Sequence, residues 1–419
     1  MFKDNDVCVL SYSRTPIGSF NGKLKKFTAV QLGSIVISSA LSKGQILPSE
    51  VEDVYIGNVL SANLGQAPAR QAALGANISK STPCTTINKV CSSGLKSVAI
   101  GAAEIKLGRR DVVVVGGMET MSNVPFYSTT TRFGNKFGNT VLIDGLAQDG
   151  LEDAFSRNKM GDCAELCAST HNYTRKMQDD YSAQSYLKAV KATKQGKFKN
   201  EIVAIELDGG YGKPSAFMSE DEECTTRPVT SASLASMRTA GFTPPKGKIA
   251  TVTAGSSSTI SDGAAAIVLC SGRYAKKKNR NVLAIITGWD DAAKNPEWFT
   301  TSPSDAITKA LSRSGHSISD VDAFEINEAF SVVALVNRDL LDIDPSKLNV
   351  YGGAVSLGHP LGCSGTRILC TLLTVLLNEG GKIGCAAICN GGGGSTALVC
   401  EIPQNIPQNI QKINGYSKL

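Results

Sequence analysis

Two cysteines and a histidine stand in glycine-rich turns: Cys91 in N-K-V-C-S-S-G-L-K, His359 in G-G-A-V-S-L-G-H-P-L-G and Cys389 in C-N-G-G-G-G-S. Such a set suits carbon–carbon bond chemistry on thioesters, with one thiol carrying an acyl group while the other moves a proton. Glycine on either side lets the backbone come close to a substrate. Cys91 falls where a polar loop meets a helical run, Ser92–Leu107. Unpaired N–H groups and the helix dipole at that end are expected to lower its pKa and to receive an oxyanion. Taken alone, an inert buried cysteine is the plainer reading. His359 is one of three histidines in the chain, and the others, His171 in a helical stretch and His316 on a turn, read as surface residues. Cys389 ends an apolar run and opens Gly391–Gly394. No Lys-Ser/Thr follows and the spacing is not G-x-G-x-x-G, which argues against a phosphate or dinucleotide site. Asn327 in E-I-N-E-A-F stands at an expected strand end, able to hold a water or face a developing oxyanion; a turn-forming asparagine is the bland alternative.

The elements that must position these residues read as alternating strands and Ala/Gly-rich helices. D-V-V-V-V-G-G, Asp111–Gly117, is a strand buried on both faces. Gly108 is placed to cap the helix before it. The second half then repeats the first. Ala40–Asn58 aligns without gaps on Ala310–Glu328 at an offset of 270, which sets Asn327 and Glu328 opposite Gly57 and Asn58. Ser92–Gly94 and Cys363–Gly365 each open a helical run, and a slightly larger offset sets Asp111–Val115 against Gly384–Ile388, hence Gly116 against Cys389. Two copies of one α/β unit, stacked as halves, are expected, with Cys91 and Cys389 at equivalent sheet ends. The charged stretch Ser122–Ser258, with an amphipathic helical run Asp179–Gln195 and a loop-rich span Gly209–Lys248, breaks the repeat. It reads as a lid or binding arm.

With 419 residues, 42% apolar and 19% charged, the chain has the composition of a soluble enzyme of more than one domain. Its 12 cysteines form no C-x-x-C pair and no disulfide-scaffold spacing, which favours free thiols and argues against structural zinc. A net charge of +6 is scattered, and Lys276–Arg280 reads as a solvated turn; this argues against a nucleic-acid partner and suits an anionic small molecule. No apolar stretch approaches the ~20 residues that span a bilayer, and the N-terminus offers no signal peptide. After Ile402 comes a polar tail ending in Ser417-Lys418-Leu419. That ending is an address for the peroxisomal import receptor, so the expected location is the peroxisome, with the cytoplasm as alternative.

N-K-V-C-S-S-G, G-G-M-E-T-M-S, N-E-A-F, G-G-A-V-S-L-G-H-P-L-G and C-N-G-G-G-G together resemble the thiolases, in family order and over essentially Val7–Ile402. V-S-L-G-H-P, M-G-D-C-A-E and N-L-G-Q-A-P-A-R-Q-A-A-L-G look more like the acetoacetyl-CoA thiolases (acetyl-CoA C-acetyltransferases) than the long-chain 3-ketoacyl-CoA thiolases. The resemblance implies an α/β thiolase fold, five-layered α/β/α/β/α, from two repeated halves plus an inserted loop domain. Its parts would be an N-terminal half, 1–121, to which about 259–285 returns, and a loop domain, 122–258, for CoA binding and oligomerisation. A C-terminal half, 286–402, and a flexible tail, 403–419, complete it. The implied reaction is condensation of two acetyl-CoA to acetoacetyl-CoA plus CoA, by a ping-pong route and with no required cofactor. Peroxisomal 3-ketoacyl-CoA thiolysis is the alternative.

In that scheme Cys91 carries the acyl group, His359 activates it and Cys389 is the acid/base at the α-carbon. Asn327 holds a water that forms one oxyanion hole with His359, while the N–H groups of Cys91 and Gly391 form the second. Ser258 would lie beside the pantetheine arm. Leu151, Lys159, Met160, Leu234, Ala329 and Phe330 would contact coenzyme A, with Arg227 near its nucleotide end. Lys159 stands where histidine is common, which is expected to alter binding and not chemistry; Ser256 stands where asparagine is common. The resemblance also raises a potassium (K+) site near Tyr186, Ala264 and Ala265, in the run Ala264–Ala266, and a homodimer or homotetramer.

Overall fold

The computed structural model describes residues 2–210, 214–226 and 229–403. Arg227 and the Ser417-Lys418-Leu419 ending lie outside the described residues. The first part of the chain lays down β1 (Val7–Arg14), β2 (Gly18–Ser19), α1 (Ala29–Gly44), β3 (Asp53–Gly57), α2 (Pro68–Gly75) and β4 (Cys84–Ile87). α3 (Ser93–Lys106) and β5 (Val112–Thr120) follow. The segment that breaks the repeat holds β6 (Phe126–Tyr127), β7 (Ile143–Asp144), α4 (Met160–Thr170) and α5 (Arg175–Lys194). It continues through β8 (Ile205–Leu207), β9 (Ala216–Met218), α6 (Glu222–Thr226) and α7 (Ser231–Ala235). Then come β10 (Ser261–Ser271), α8 (Gly272–Lys277), β11 (Ala284–Ala293), α9 (Ser302–Ser314), β12 (Ala323–Ile326) and α10 (Ser331–Leu340). The chain closes with α11 (Ala354–Leu357), α12 (Leu361–Glu379), β13 (Ile383–Asn390) and β14 (Gly394–Glu401).

The main strands follow the order β12-β13-β14-β11-β1-β10-β5-β3-β4. Each half has a parallel set, β4-β3-β5 and β12-β13, and the halves join where β1 pairs antiparallel with β11 over Val7–Val9. The largest core packs α3 and α12 against both halves of the sheet: Leu95 and Leu369 share it with Val115 and Ile267 of one half and Ala386 and Leu398 of the other. α1 and α2 cover the outer face of the first half, and α9 covers that of the second. These are the five layers, with one hydrogen-bonded sheet wrapping the central helices. Burying a leucine there contributes ~2 kcal/mol.

Helix α12 corrects an expectation. Its 19 residues are long and apolar enough to cross a membrane by composition, but 89% of that stretch is buried between the two sheet halves. It touches α3 through glycines: a Cβ on Gly94 would stand 2.8 Å from the Gly362 carbonyl, and one on Gly365 would stand 2.3 Å from the Leu95 nitrogen. Gly94 and Gly365 are counterparts in the repeat, so the halves meet at equivalent points.

The register corrects the repeat itself. Asp53 lies opposite Val113 on β5, and its counterpart Ala323 lies opposite Gly384 on β13. Met118, and not Gly116, therefore matches Cys389. The alignment expected from the sequence is two residues out, a slip that keeps side chains on the same face of a strand and so leaves the apolar pattern intact. By the same register the counterpart of Cys91 is Gly362, so the two thiols do not occupy equivalent positions. Asp179–Gln195 also begins too late, because Thr174 caps α5 through the Met177 N–H.

Candidate active site

Cys91 sits in the turn that enters α3. Lys89 and Cys91 form an isolated β-bridge, and Val90 between them has φ +47°. For a β-branched residue that is a strained backbone, held by surrounding bonds. The Val90 N–H donates to Asn88 Oδ1 (3.0 Å), and its carbonyl accepts from Ser93 Oγ (2.6 Å). On the other side of the site, Cys389 lies near the end of β13, 1% exposed. The glycine run behind it is a turn: Gly392 and Gly393 take φ of +82° and +86°, which only glycine adopts freely. The N–H groups of Gly391 and of Cys91 itself lie where they favour the Cys91 thiolate.

His359 stands in the loop before α12. Its ring Nδ1 lies 2.5 Å from Ser364 Oγ, and that hydroxyl donates to the Pro360 carbonyl at 2.9 Å. A carbonyl only accepts, so the single hydroxyl proton is committed to it, and Ser364 must accept from Nδ1–H. This fixes the tautomer with a bare lone pair on Nε2. That nitrogen is buried and makes no hydrogen bond among the described residues, and the same holds for both amide atoms of Asn327. Leaving such groups unpaired costs ~1–3 kcal/mol each, so buried polar atoms of this kind are set out for a guest. Asn327 follows β12, with its N–H donated to the Ala387 carbonyl. Beside it the Glu328 carboxylate accepts from Tyr181, Ser185, Asn349 and the Val355 N–H, which anchors the segment leading to His359.

Burial governs the electrostatics. It pushes the Cys91 thiol up to about 12, against the pull of the Gly391 and Cys91 N–H groups. The expected lowering at a helix end is thus outweighed. Cys389 is held well above the ordinary thiol value by burial first and by the Cys91 charge second. Burial, helped by the Arg367 guanidinium, brings His359 down to about 3. The site therefore rests with two neutral thiols and a neutral base. It can take one thiol proton at a time, since each thiolate raises the cost of the other.

Of the other expected residues, Met160, Ala329 and Phe330 share one apolar cluster with Cys389, and Leu151 packs with Cys91 in another. Ser258 donates its N–H to the Ala329 carbonyl. Lys159 is exposed at the start of α4, its N–H bonded to Asp162. Leu234 is fully buried against Gly255 and Met237, a core residue of this segment. Ser256 closes a capping turn with Thr253.

The potassium expectation at Ala264 and Ala265 is corrected, because these residues do not fit a cation. Ala264, Ala265 and Ala266 lie within β10, an apolar strand held on both edges. Ala265 stands opposite Arg14 of β1 and Gly117 of β5, and the Ala264 carbonyl accepts from the Thr15 N–H at 2.9 Å. Their carbonyls belong to the sheet and its margin, where an ion would have to displace backbone bonds. Tyr186, the third residue of that expectation, is buried on α5. His171 and His316 are half-buried and not free at the surface; one meets Trp298 edge-on, and the other bonds Glu401 at 2.7 Å.

Sequence reasoning missed Ser364, although it lies in the same motif as His359. It also missed Phe242, which packs edge-on against Phe330 at 6.1 Å. Glu119 was quoted within a motif and given no role. Its buried carboxyl accepts from the N–H groups of Val59, Leu60 and Gly362 and from Asn58, tying β5 to the start of α12. Burial outweighs those donors and raises it to about 7.

Residues 7–273 match the family described as Thiolase, N-terminal domain, and residues 280–402 match Thiolase, C-terminal domain. The chain is 52% identical over 397 residues to Acetyl-CoA acetyltransferase 2 of Arabidopsis thaliana, covering 95% of this chain and 97% of that one. It is 51% identical over 399 residues to Acetyl-CoA acetyltransferase of Saccharomyces cerevisiae, covering 94% and 99%. The crystal structure of Acat5 thiolase from Ascaris suum in complex with coenzyme A superposes with a TM-score of 0.88 at 40% identity, over 95% of this chain and 100% of that one.

Proposed function

The chain belongs to the thiolase family, and we propose that it works as an acetyl-CoA C-acetyltransferase, condensing two acetyl-CoA to acetoacetyl-CoA and CoA and reversing that reaction. What supports this is that Cys91 lies near enough to Cys389 to raise its thiol, while His359 Nε2 and the Asn327 amide are buried with no hydrogen-bond partner among the described residues. His359 Nε2 takes the Cys91 proton, and the thiolate attacks the thioester carbonyl. The C–S bond to coenzyme A breaks, and the departing sulfur takes the Cys389 proton. Cys389, now a thiolate, removes a proton from the methyl carbon of a second acetyl-CoA. The carbanion attacks the acetyl group on Cys91, the acyl–Cys91 bond breaks, and His359 returns the proton to Cys91. Acetylation removes the Cys91 charge that opposes a thiolate on Cys389, which orders the two steps. The Cys91 and Gly391 N–H groups stabilise one oxyanion and a water on Asn327 with His359 the other, at ~3–4 kcal/mol per donor. No cofactor enters.

Met160, Ala329, Phe330 and Leu151 form the coenzyme wall nearest the thiols, with Ser258 beside the pantetheine arm. We assign the protein to homodimers or homotetramers, supported by Phe133, Phe137, Val141 and Leu142, which are 62% or more exposed between β6 and β7. Ser417-Lys418-Leu419 supports delivery to the peroxisome by its import receptor; a truncated protein lacking it is expected in the cytoplasm. Import of the truncated form would remove that assignment. For the reaction, initial rates with acetyl-CoA and with ketoacyl thioesters of four carbons and longer should show ping-pong kinetics and a preference for four carbons. Intersecting lines, or faster cleavage of long chains, would reject this reading in favour of long-chain 3-ketoacyl-CoA thiolysis or another mechanism.

A further inference from the structure

Cys91 belongs to one half and Cys389 to the other, so their separation depends on what fastens the halves at that point. Lys89, two residues before Cys91, donates all three of its ammonium protons to the second half. They go to Asp291 Oδ1 on β11 at 2.5 Å, to the Ser395 carbonyl at 2.9 Å and to Thr396 Oγ1 at 2.9 Å. Ser395 and Thr396 are the β14 residues directly opposite Cys389 and Ile388. Thr396 itself donates to Asp291 at 2.6 Å. Asp291 feels burial in the opposite sense, yet Lys89, Lys96 and Thr396 bring its carboxyl down to about 2, while burial lowers the Lys89 ammonium from its ordinary value against the pull of Asp291. A second tie lies just past Cys91, where Ser92 Oγ reaches the Ile388 carbonyl (3.1 Å) and Asn390 Oδ1 (2.8 Å). Cys91 is thus bracketed by two residues, Lys89 and Ser92, that each bond the hairpin carrying Cys389, with the strained Val90 between them.

We infer that Lys89 is a positioning residue for the reaction proposed above, on which this inference rests. Its three bonds hold the nucleophile's turn in its left-handed form and set the spacing between the two sulfurs. A fixed spacing matters only when both thiols work on one pair of substrates, in the carbon–carbon step. Acetyl transfer to Cys91 alone is less demanding. Misplacing a reacting group by about an ångström can cost on the order of a hundredfold in rate.

The test uses the full-length enzyme carrying Lys89→Met, Lys89→Arg, Lys96→Met or Asp291→Asn. Lys96 reaches the same Asp291, at 2.5 Å, from the second turn of α3, and among the described residues its ammonium bonds no residue of β14. The expected result for Lys89→Met is a condensation kcat lower by about thirtyfold, with KM for acetyl-CoA within twofold and radiolabelled acetyl still trapped on Cys91. Lys89→Arg should recover most of that kcat, and Lys96→Met should lose less than about threefold. If Lys89→Met does not fold, Asp291→Asn, which keeps shape and removes charge, carries the test with the same kcat-only signature at about fivefold. Unchanged kcat in a folded Lys89→Met or Asp291→Asn protein overturns the inference. Equal losses in Lys89→Met and Lys96→Met overturn it too, since a merely structural ion pair would behave so. A wild-type enzyme that fails to condense acetyl-CoA would instead reject the reaction itself.

Discussion

At the ends of β3 and β12, which hold the same place in the two halves, stand Gly57-Asn58 and Asn327-Glu328. On β5 and β13 the matching pairs are Met118-Glu119 and Cys389-Asn390; at the helix entrances they are Cys91 and Gly362. No reacting group is present twice. Met118 shows how a copy is silenced: its sulfur packs against Gly33 of α1, so the first half fills with core the position where the second half keeps a thiol. The loop before α12 is also longer. Leu348 faces Phe324 as Cys84 faces Val54, and Gly365 matches Gly94, which leaves seven extra residues for α11 and His359. In the reaction proposed above, one half would supply the nucleophile, and the other the base, the proton carrier and the amide. A repeat builds the frame twice; the chemistry needs each part once, facing the other half.

This division can be broken experimentally. The largest effect is expected from Cys91→Ala, which should lower condensation by about ten-thousandfold or more and leave no acetyl on the protein by mass spectrometry. Cys389→Ala should cost about a thousandfold in condensation while Cys91 is still acetylated. Loss of both steps together would mean that Cys389 is needed for the nucleophile as well, and the division of labour would fall. In the free enzyme, alkylation of Cys91 by iodoacetamide should rise about a hundredfold from pH 7 to pH 9 without a plateau. With the thiol near 12, the thiolate is a minor species that grows tenfold per pH unit; a plateau at pH 9 would contradict this.

Ser364→Ala should lower kcat by about tenfold with little change in KM, by releasing the His359 tautomer, and Ser364→Thr should restore it. A full rate in the alanine variant would show that Nε2 needs no such orientation. The smallest effect belongs to Met118→Cys. Placed in the Cys389→Ala background it should restore no condensation, at a stability cost of ~1–2 kcal/mol read by thermal melting. Any recovered activity would show that position in the repeat suffices.

The residues of the site were legible because each sits in a short glycine-bearing motif whose types already fit one chemistry. The helix after Cys91, the strand read as Asp111–Gly117 (observed as Val112–Thr120) and the repeat at Ala40–Asn58 were legible from local pattern. What escaped was what pairing decides. A slip of two residues leaves the alternation on β5 unchanged, so only its bonding to β3 shows that Met118 matches Cys389. Pairing also removed the cation expectation, since the carbonyls around Ala265 are spent on strands that lie far from it in sequence. The thiol pKa followed from burial by distant elements and not from the helix end beside it. The Lys89 tie joins residues far apart in the chain, and nothing in N-K-V-C names Asp291 as its partner. The apolar length of α12 went unread because serine, threonine and glycine interrupt it, yet both halves of the sheet bury it.

The place of β10 has a consequence for synthesis. Strands β1 and β5 emerge early from the ribosome, but neither pairs with the other; the strand between them is Ser261–Ser271. The nascent first half must therefore wait, with β1 unpaired and one edge of β5 open, while the whole intervening segment is translated. Long waits with exposed strand edges are when chains aggregate, and pairings distant in sequence are slow to form. Chaperones that shield unpaired strands would act on this protein in that interval, before the first thiol has a site to belong to.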